Sequence, residues 1–239
     1  MKSKFHFLIY IFVLITTNSA CTTTYPRVEQ DLKDYDHKIE KMNKDFSVTP
    51  ENTDSIEWVK SKLDHMFEID QYMRNYWSTP IEKDYSVDER NQFNQEFFKR
   101  NNKLDSQNTA DTKMLLKKYE WFKISVFGEK ADNQGWLLVQ HADLDVEFQK
   151  QVLTILERLY PLQETKPANY AYLFDRVAIS SNDPKNRKPQ RYGTQGQCVG
   201  PGQWEPWPIE DEKNVDKRRK SMGLRTMAEY KALFKDICH

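Results

Sequence analysis

The chain has 239 residues, enough for one domain with appendages. Its 36 basic and 36 acidic side chains give a formal charge of +0, so no global field draws it to nucleic acid. Only 7 glycines and a mean hydropathy of −0.85 argue against a turn-dense β-sandwich and for long helices, while 13% aromatics can supply a core of bulky rings.

Lys2 and Lys4 precede an apolar run from Phe5 to Ile15, broken by His6 and Tyr10, and TTNSA then leads to Cys21. This order of basic, apolar and small residues predicts a signal peptide over residues 1–20. A membrane-spanning helix needs about 20 apolar residues, more than this run provides. Ser19-Ala20-Cys21 resembles the lipobox of bacterial lipoproteins, in which the cysteine becomes the acylated first residue of the mature chain. Asn18 stands where that motif has leucine, so a secreted soluble protein is the competing expectation. Lipid on Cys21 would tether the body to a bacterial envelope membrane, on its periplasmic or surface side. In that oxidising setting Cys198 and Cys238 are expected to pair, the alternative being two free thiols.

Residues 21–53 read as a tether with room for a helix between Val28 and Asn43, and residues 54–239 as a single mostly helical domain. The first firm helix runs from Ser55 to Trp77, with Ile56, Val59, Leu63, Met66, Met73 and Trp77 at the spacing of one buried stripe. Asp70 falls on that stripe, with Arg74 at the i+4 position. Two readings follow: an internal ion pair fixing helix register, or a carboxylate facing a site. A second helical region spans Asp88 to Tyr119, with a break expected near Asp105 to Thr109. Trp121 to Phe127 leads to a turn at Gly128, then a helix from Ala131 to His141 and another from Asp145 to Tyr160, stopped by Pro161.

Beyond Ala168 the periodicity changes. Asn169 to Asp175 reads as a last helical turn, Arg176 to Ile179 as a strand, and QRYGTQ as the returning strand after the turn residues SSNDPKNRKP. GPGQWEPWPIED is extended, with two tryptophans to cover apolar surface. Val215 to Met222 is a short basic helix ended by Gly223. Thr226 and Glu229 form a capping box for a terminal helix whose inward face is Met227, Tyr230, Leu233, Phe234 and Ile237. The expected fold is therefore mainly α: a compact multi-helix domain with one small β-hairpin near residues 176–195.

Six stretches in one order carry a resemblance: DQYMR (Asp70 to Arg74), GWLLVQHADLDVEFQ (Gly135 to Gln149), AYLFDRV (Ala171 to Val177), PQRYGTQ (Pro189 to Gln195), PIED (Pro208 to Asp211) and VDKRR followed by Gly223-Leu224. Together they resemble a bacterial family named domain of unknown function 6624, over about Ser55 to Tyr230. The resemblance implies a compact, mostly helical domain and no established activity. The leader with Cys21, and the cysteines Cys198 and Cys238, are not part of the family pattern and look like an envelope adaptation.

The densest polar cluster is QHADLDVEFQ, Gln140 to Gln149. His141, Asp143 and Asp145 are ligand-type side chains, yet short aspartates here also suit the N-cap of the next helix. With no second histidine cluster or CxxC pair, neither a metal site nor a cofactor is expected. GxSxG, GxxxxGK and GxGxxG are all missing. KNVDKRRK is a solvated helix face or an anion contact, and no nucleic-acid partner is expected. Acid–base chemistry stays open: His141, Asp70 and Asp175 are the candidate acids and bases, with Arg74, Arg176, Gln190, Tyr192, Thr194 and Gln195 as candidate ligand contacts. The bland alternative is a buried polar network locking the hairpin onto the helices. The expected role is binding of a polar envelope ligand or partner protein; its rival is a small hydrolase or transferase using His141 with Asp70 or Asp175.

Overall fold

A computed structural model describes residues 25–47, 50–181 and 183–238, so the expectations for the leader and for Cys21 lie outside the described residues. Helix α1 (Pro26–Ser47) lies against α2 (Ile56–Tyr76) and α4 (Val87–Tyr119), with the short α3 (Thr79–Glu82) between them. Val28, Leu32 and Tyr35 of α1 share a buried cluster with Met73, Phe93 and Phe97. The Asp31 carboxylate pins the contact by accepting from Lys83 and the Tyr85 hydroxyl.

Ser55 caps α2 by accepting from the Trp58 amide, and Val59, Leu63, Met66 and Met73 of the expected stripe are buried; Ile56, in the first turn, is exposed. The expected break in α4 does not occur, and the helix runs unbroken for 33 residues. Its polar middle mimics a loop in sequence, but the Thr109 and Thr112 hydroxyls donate back to the carbonyls of Asp105 and Asn108 one turn earlier. Helix α5 (Ile124–Gln140) bends at Gly128, whose φ of +82° favours glycine. Farther along α5, Gly135 sits where an added Cβ would lie 2.3 Å from the Phe122 ring, so this glycine lets the helix close on the core. His141 ends α5, and Asp145 starts α6 (Val146–Leu159) by accepting from the Phe148 amide at 3.1 Å.

The fold is mainly α with a small hairpin, but the hairpin lies elsewhere than expected. Arg176, Val177 and Ala178 complete α7 (Pro167–Ala178), and the antiparallel pair is β1 (Gly196–Gly200) with β2 (Gln203–Pro206). Arg-Val-Ala-Ile fits either period; packing of α7 on α6 favours the helical one. Residues 190–195 form a loop with one bridge, Gln190 to Ile209, because their amides are held by a side chain rather than by a partner strand.

The C-terminal part follows with α8 (Val215–Ser221) and α9 (Met227–Ala232), the latter opened by the expected Thr226–Glu229 capping box. Its inward face is smaller than expected. Tyr230 and Phe234 pack on Trp204, whereas Leu233 and Ile237 are 48% and 61% exposed, because the helix stops at Ala232. Cys198 and Cys238 are bridged, with a Cα–Cα distance of 5.4 Å, which fastens β1 to the C-terminal segment. Closing the intervening loop stabilises by about 4 kcal/mol in the chain-entropy account. No described helix is long and apolar enough to cross a membrane.

Candidate functional site

Helices α2 and α5 pack along each other, which brings Asp70 of the inner α2 stripe to the C-terminal end of α5. There His141 Nδ1 lies 2.7 Å from Asp70 Oδ1. The Asp70 carboxylate is fully buried and also accepts from Gln71 Nε2 at 2.9 Å and Arg74 Nη2 at 3.4 Å. Burial alone raises its pKa, but the hydrogen bond and charge of His141, then Arg74 and Gln71, outweigh it and hold the carboxyl below the usual range. Arg74 reaches on to Asp105 at 2.7 Å, and burial pushes that second carboxyl up despite the guanidinium. Asp70 and Arg74 thus form the internal pair of the first reading, and the buried carboxylate does not line the cleft itself but meets His141 from behind.

The histidine ring, unlike Asp70, reaches the surface. His141 lines a cleft of about 300 Å3 together with Trp136 and Gln140 of α5. The facing wall is Tyr172 and Arg176 of α7, with Thr194 and Gln195 between, and Trp204, Tyr230 and Phe234 form an aromatic lip. Arg176 is held in place from two sides. Its Nε donates to Asp143 Oδ1 at 2.8 Å, its Nη2 to Asp143 Oδ2, and its Nη1 to Gln195 Oε1 at 3.0 Å. Gln149 adds a bond from its Nε2 to Asp143 at 3.2 Å. The three ligand-type side chains of QHADLDVEFQ therefore serve separate partners: His141 turns to Asp70, Asp143 to Arg176, and Asp145 caps α6.

Asp175, Gln190 and Tyr192 do not reach this cleft. Both oxygens of the buried Asp175 are occupied, one by the amides of Arg191 and Tyr192 at 2.8 and 3.1 Å, the other by the amide and hydroxyl of Thr194 at 2.9 and 3.0 Å. Burial raises the Asp175 carboxyl, and these four bonds oppose it. Gln190 is buried and stitches the same loop, donating to the carbonyls of Gln195 and Trp207 and accepting from the Gln195 amide. Tyr192 fills the core beside Phe174. Of the candidates, the structure brings His141, Asp70, Arg176, Thr194 and Gln195 together, with Arg74 behind them; Asp175 and Gln190 hold the loop that delivers Thr194 and Gln195.

Several contributors had no distinctive sequence signal. Arg219 read as one charge of a basic run, yet it is 1% exposed and donates to the carbonyls of Tyr192 at 2.7 Å and Arg225 at 2.6 Å. Its neighbour Arg218 binds the carbonyls of Arg191 and Glu210. Trp136 and Gln140 sit one helical turn apart on α5, a spacing that places them on one face of the helix.

A family described as "Family of unknown function (DUF6624)" matches residues 59–239. The chain belongs to this family. The DUF6624 match takes in every residue of the cleft and leaves α1 outside it. No curated protein and no solved structure matches the chain.

Proposed function

We propose that this DUF6624 protein is an exported, lipid-anchored envelope protein whose cleft binds a polar ligand and whose His141 carries out acid–base chemistry on it. The observation that carries the reading is the His141–Asp70 pair. The buried carboxylate takes the Nδ1 side of the ring, while Nε2 has no hydrogen-bond partner among the described residues and the ring lines the cleft. A carboxylate on one nitrogen fixes the tautomer and leaves the other as a base. The chemistry that suits it is removal of a proton from a ligand hydroxyl or from a water, followed by its return to a leaving group: hydrolysis or group transfer. Asp175 has no free lone pair directed outward that would make it the rival partner. The experiment is a turnover screen on chromogenic esters and glycosides, wild type beside His141→Asn; turnover undiminished in the variant would refute the role.

Export and anchoring are supported by the leader-like residues 1–20 and by Ser19-Ala20-Cys21. The oxidised Cys198–Cys238 pair is in keeping with that compartment. Cys21→Ser is expected to move the protein out of the membrane fraction, as read by fractionation of expressing cells. Retention of the variant in that fraction would refute the anchor.

A further inference from the structure

Resting on the ligand-binding part of that reading, we infer that the occupant of the cleft is a neutral saccharide. Charge points away from anions first. Arg176 already has Nε, Nη1 and Nη2 engaged, and its charge is matched by Asp143, which Gln149 also holds. Only one N–H on each Nη remains for an incoming anion, and a carboxylate has no proton to offer His141 Nε2.

The groups left over are neutral. Gln140 is 6% exposed, and its side-chain amide makes no hydrogen bond among the described residues. The buried Trp136 Nε1 likewise has no partner among them. An unmade hydrogen bond at a buried polar group costs about 1–3 kcal/mol, and such groups usually have a partner that accounts for them. Both residues line the cleft beside His141. The unmet set is three N–H bonds, two on Gln140 Nε2 and one on Trp136 Nε1, and an imidazole lone pair. Hydroxyl groups, which accept and donate at once, satisfy all of it.

The apolar half of the site fits the same occupant. Tyr172 and Tyr230 stand 6.2 Å apart between ring centres at 69°, and Trp204 stacks on Phe234 at 4.6 Å, so aromatic surface faces the polar end of α5. A sugar ring offers C–H faces to such rings and hydroxyls at its edge. A cleft of about 300 Å3 suits one or two sugar units.

The test is titration of the full chain with glucose, N-acetylglucosamine, cellobiose and chitobiose, followed by calorimetry and by tryptophan fluorescence. Acetate and inorganic phosphate serve as competitors in large excess. Expected is binding of at least one saccharide with a fluorescence change, insensitive to both anions. Gln140→Ala should weaken it by about tenfold, the worth of one hydrogen bond. Gln140→Met keeps the length of the side chain and deletes the amide, and it should also weaken binding while preserving the melting temperature. That variant keeps the test decisive if Gln140→Ala does not fold. No binding by any of the four saccharides overturns the inference, as does displacement of a bound saccharide by phosphate or acetate. Saccharide binding without turnover supports it and counts against acid–base chemistry; ester turnover without saccharide binding overturns it and leaves that chemistry standing.

Discussion

Asp175→Ala is expected to destabilise the folded domain by about 3–5 kcal/mol, because it strands several buried donors at once. The lost carboxylate serves the amides of Arg191, Tyr192 and Thr194 and the Thr194 hydroxyl. A hydroxyl can turn to another acceptor; a backbone N–H cannot. These amides lie in a loop whose Tyr192 is 3% exposed, so water reaches them only if the loop lifts. Arg219 clamps the opposite side of the loop through the Tyr192 carbonyl, and Gly193, at φ +65°, gives the chain its turn between the two anchors. Asp175→Asn should also be costly, since its amide would set donors against donors. Urea unfolding measures the effect as a shift in midpoint at constant slope. A loss below about 1 kcal/mol would mean that the loop does not depend on this carboxylate.

His141→Asn is expected to lower turnover by about 10²–10⁴-fold, the usual contribution of a positioned general base. Asparagine is polar and smaller than histidine, so little packing changes at the half-buried position. Asp70 would keep Gln71 and Arg74 as partners, so folding should be spared. The loss should therefore fall on kcat, with KM nearly unchanged, because the ring touches the reacting proton and the aromatic lip holds the ligand. Equal loss in KM, or a lowered melting temperature that accounts for the drop, would assign His141 to binding or to structure instead.

Local rules made much of this fold legible. The stripe of α2, the Ser55 cap, the Asp145 cap and the Thr226–Glu229 box all depend on residues within about four positions of one another. Where the reading failed, the deciding contact was distant or ambiguous. The polar run Asp105 to Thr109 imitates a loop, and only its burial against α2, with Asp105 on Arg74, reveals a helix. Arg176 to Ile179 has the pattern of a strand, but the amides it would have paired with are 16 to 19 residues from Asp175 and bind that side chain. The site was half visible for the same reason. Asp70 and His141 stood out by residue type, but they are 71 positions apart, and nothing local reveals that they touch. Trp204 and Tyr230 read as aromatics covering apolar surface until the hairpin and α9 folded them around the cleft.

The most direct measurement is the nitrogen-15 spectrum of the His141 ring in its neutral form, taken for wild type and for Asp70→Asn. Expected is a proton on Nδ1, shared with Asp70, and a bare Nε2 facing the cleft. In Asp70→Asn the side-chain amide can donate to Nδ1, so the proton should move to Nε2. A wild-type ring already protonated on Nε2, or a spectrum unchanged by Asp70→Asn, would contradict the central claim that a buried carboxylate sets this histidine for proton transfer.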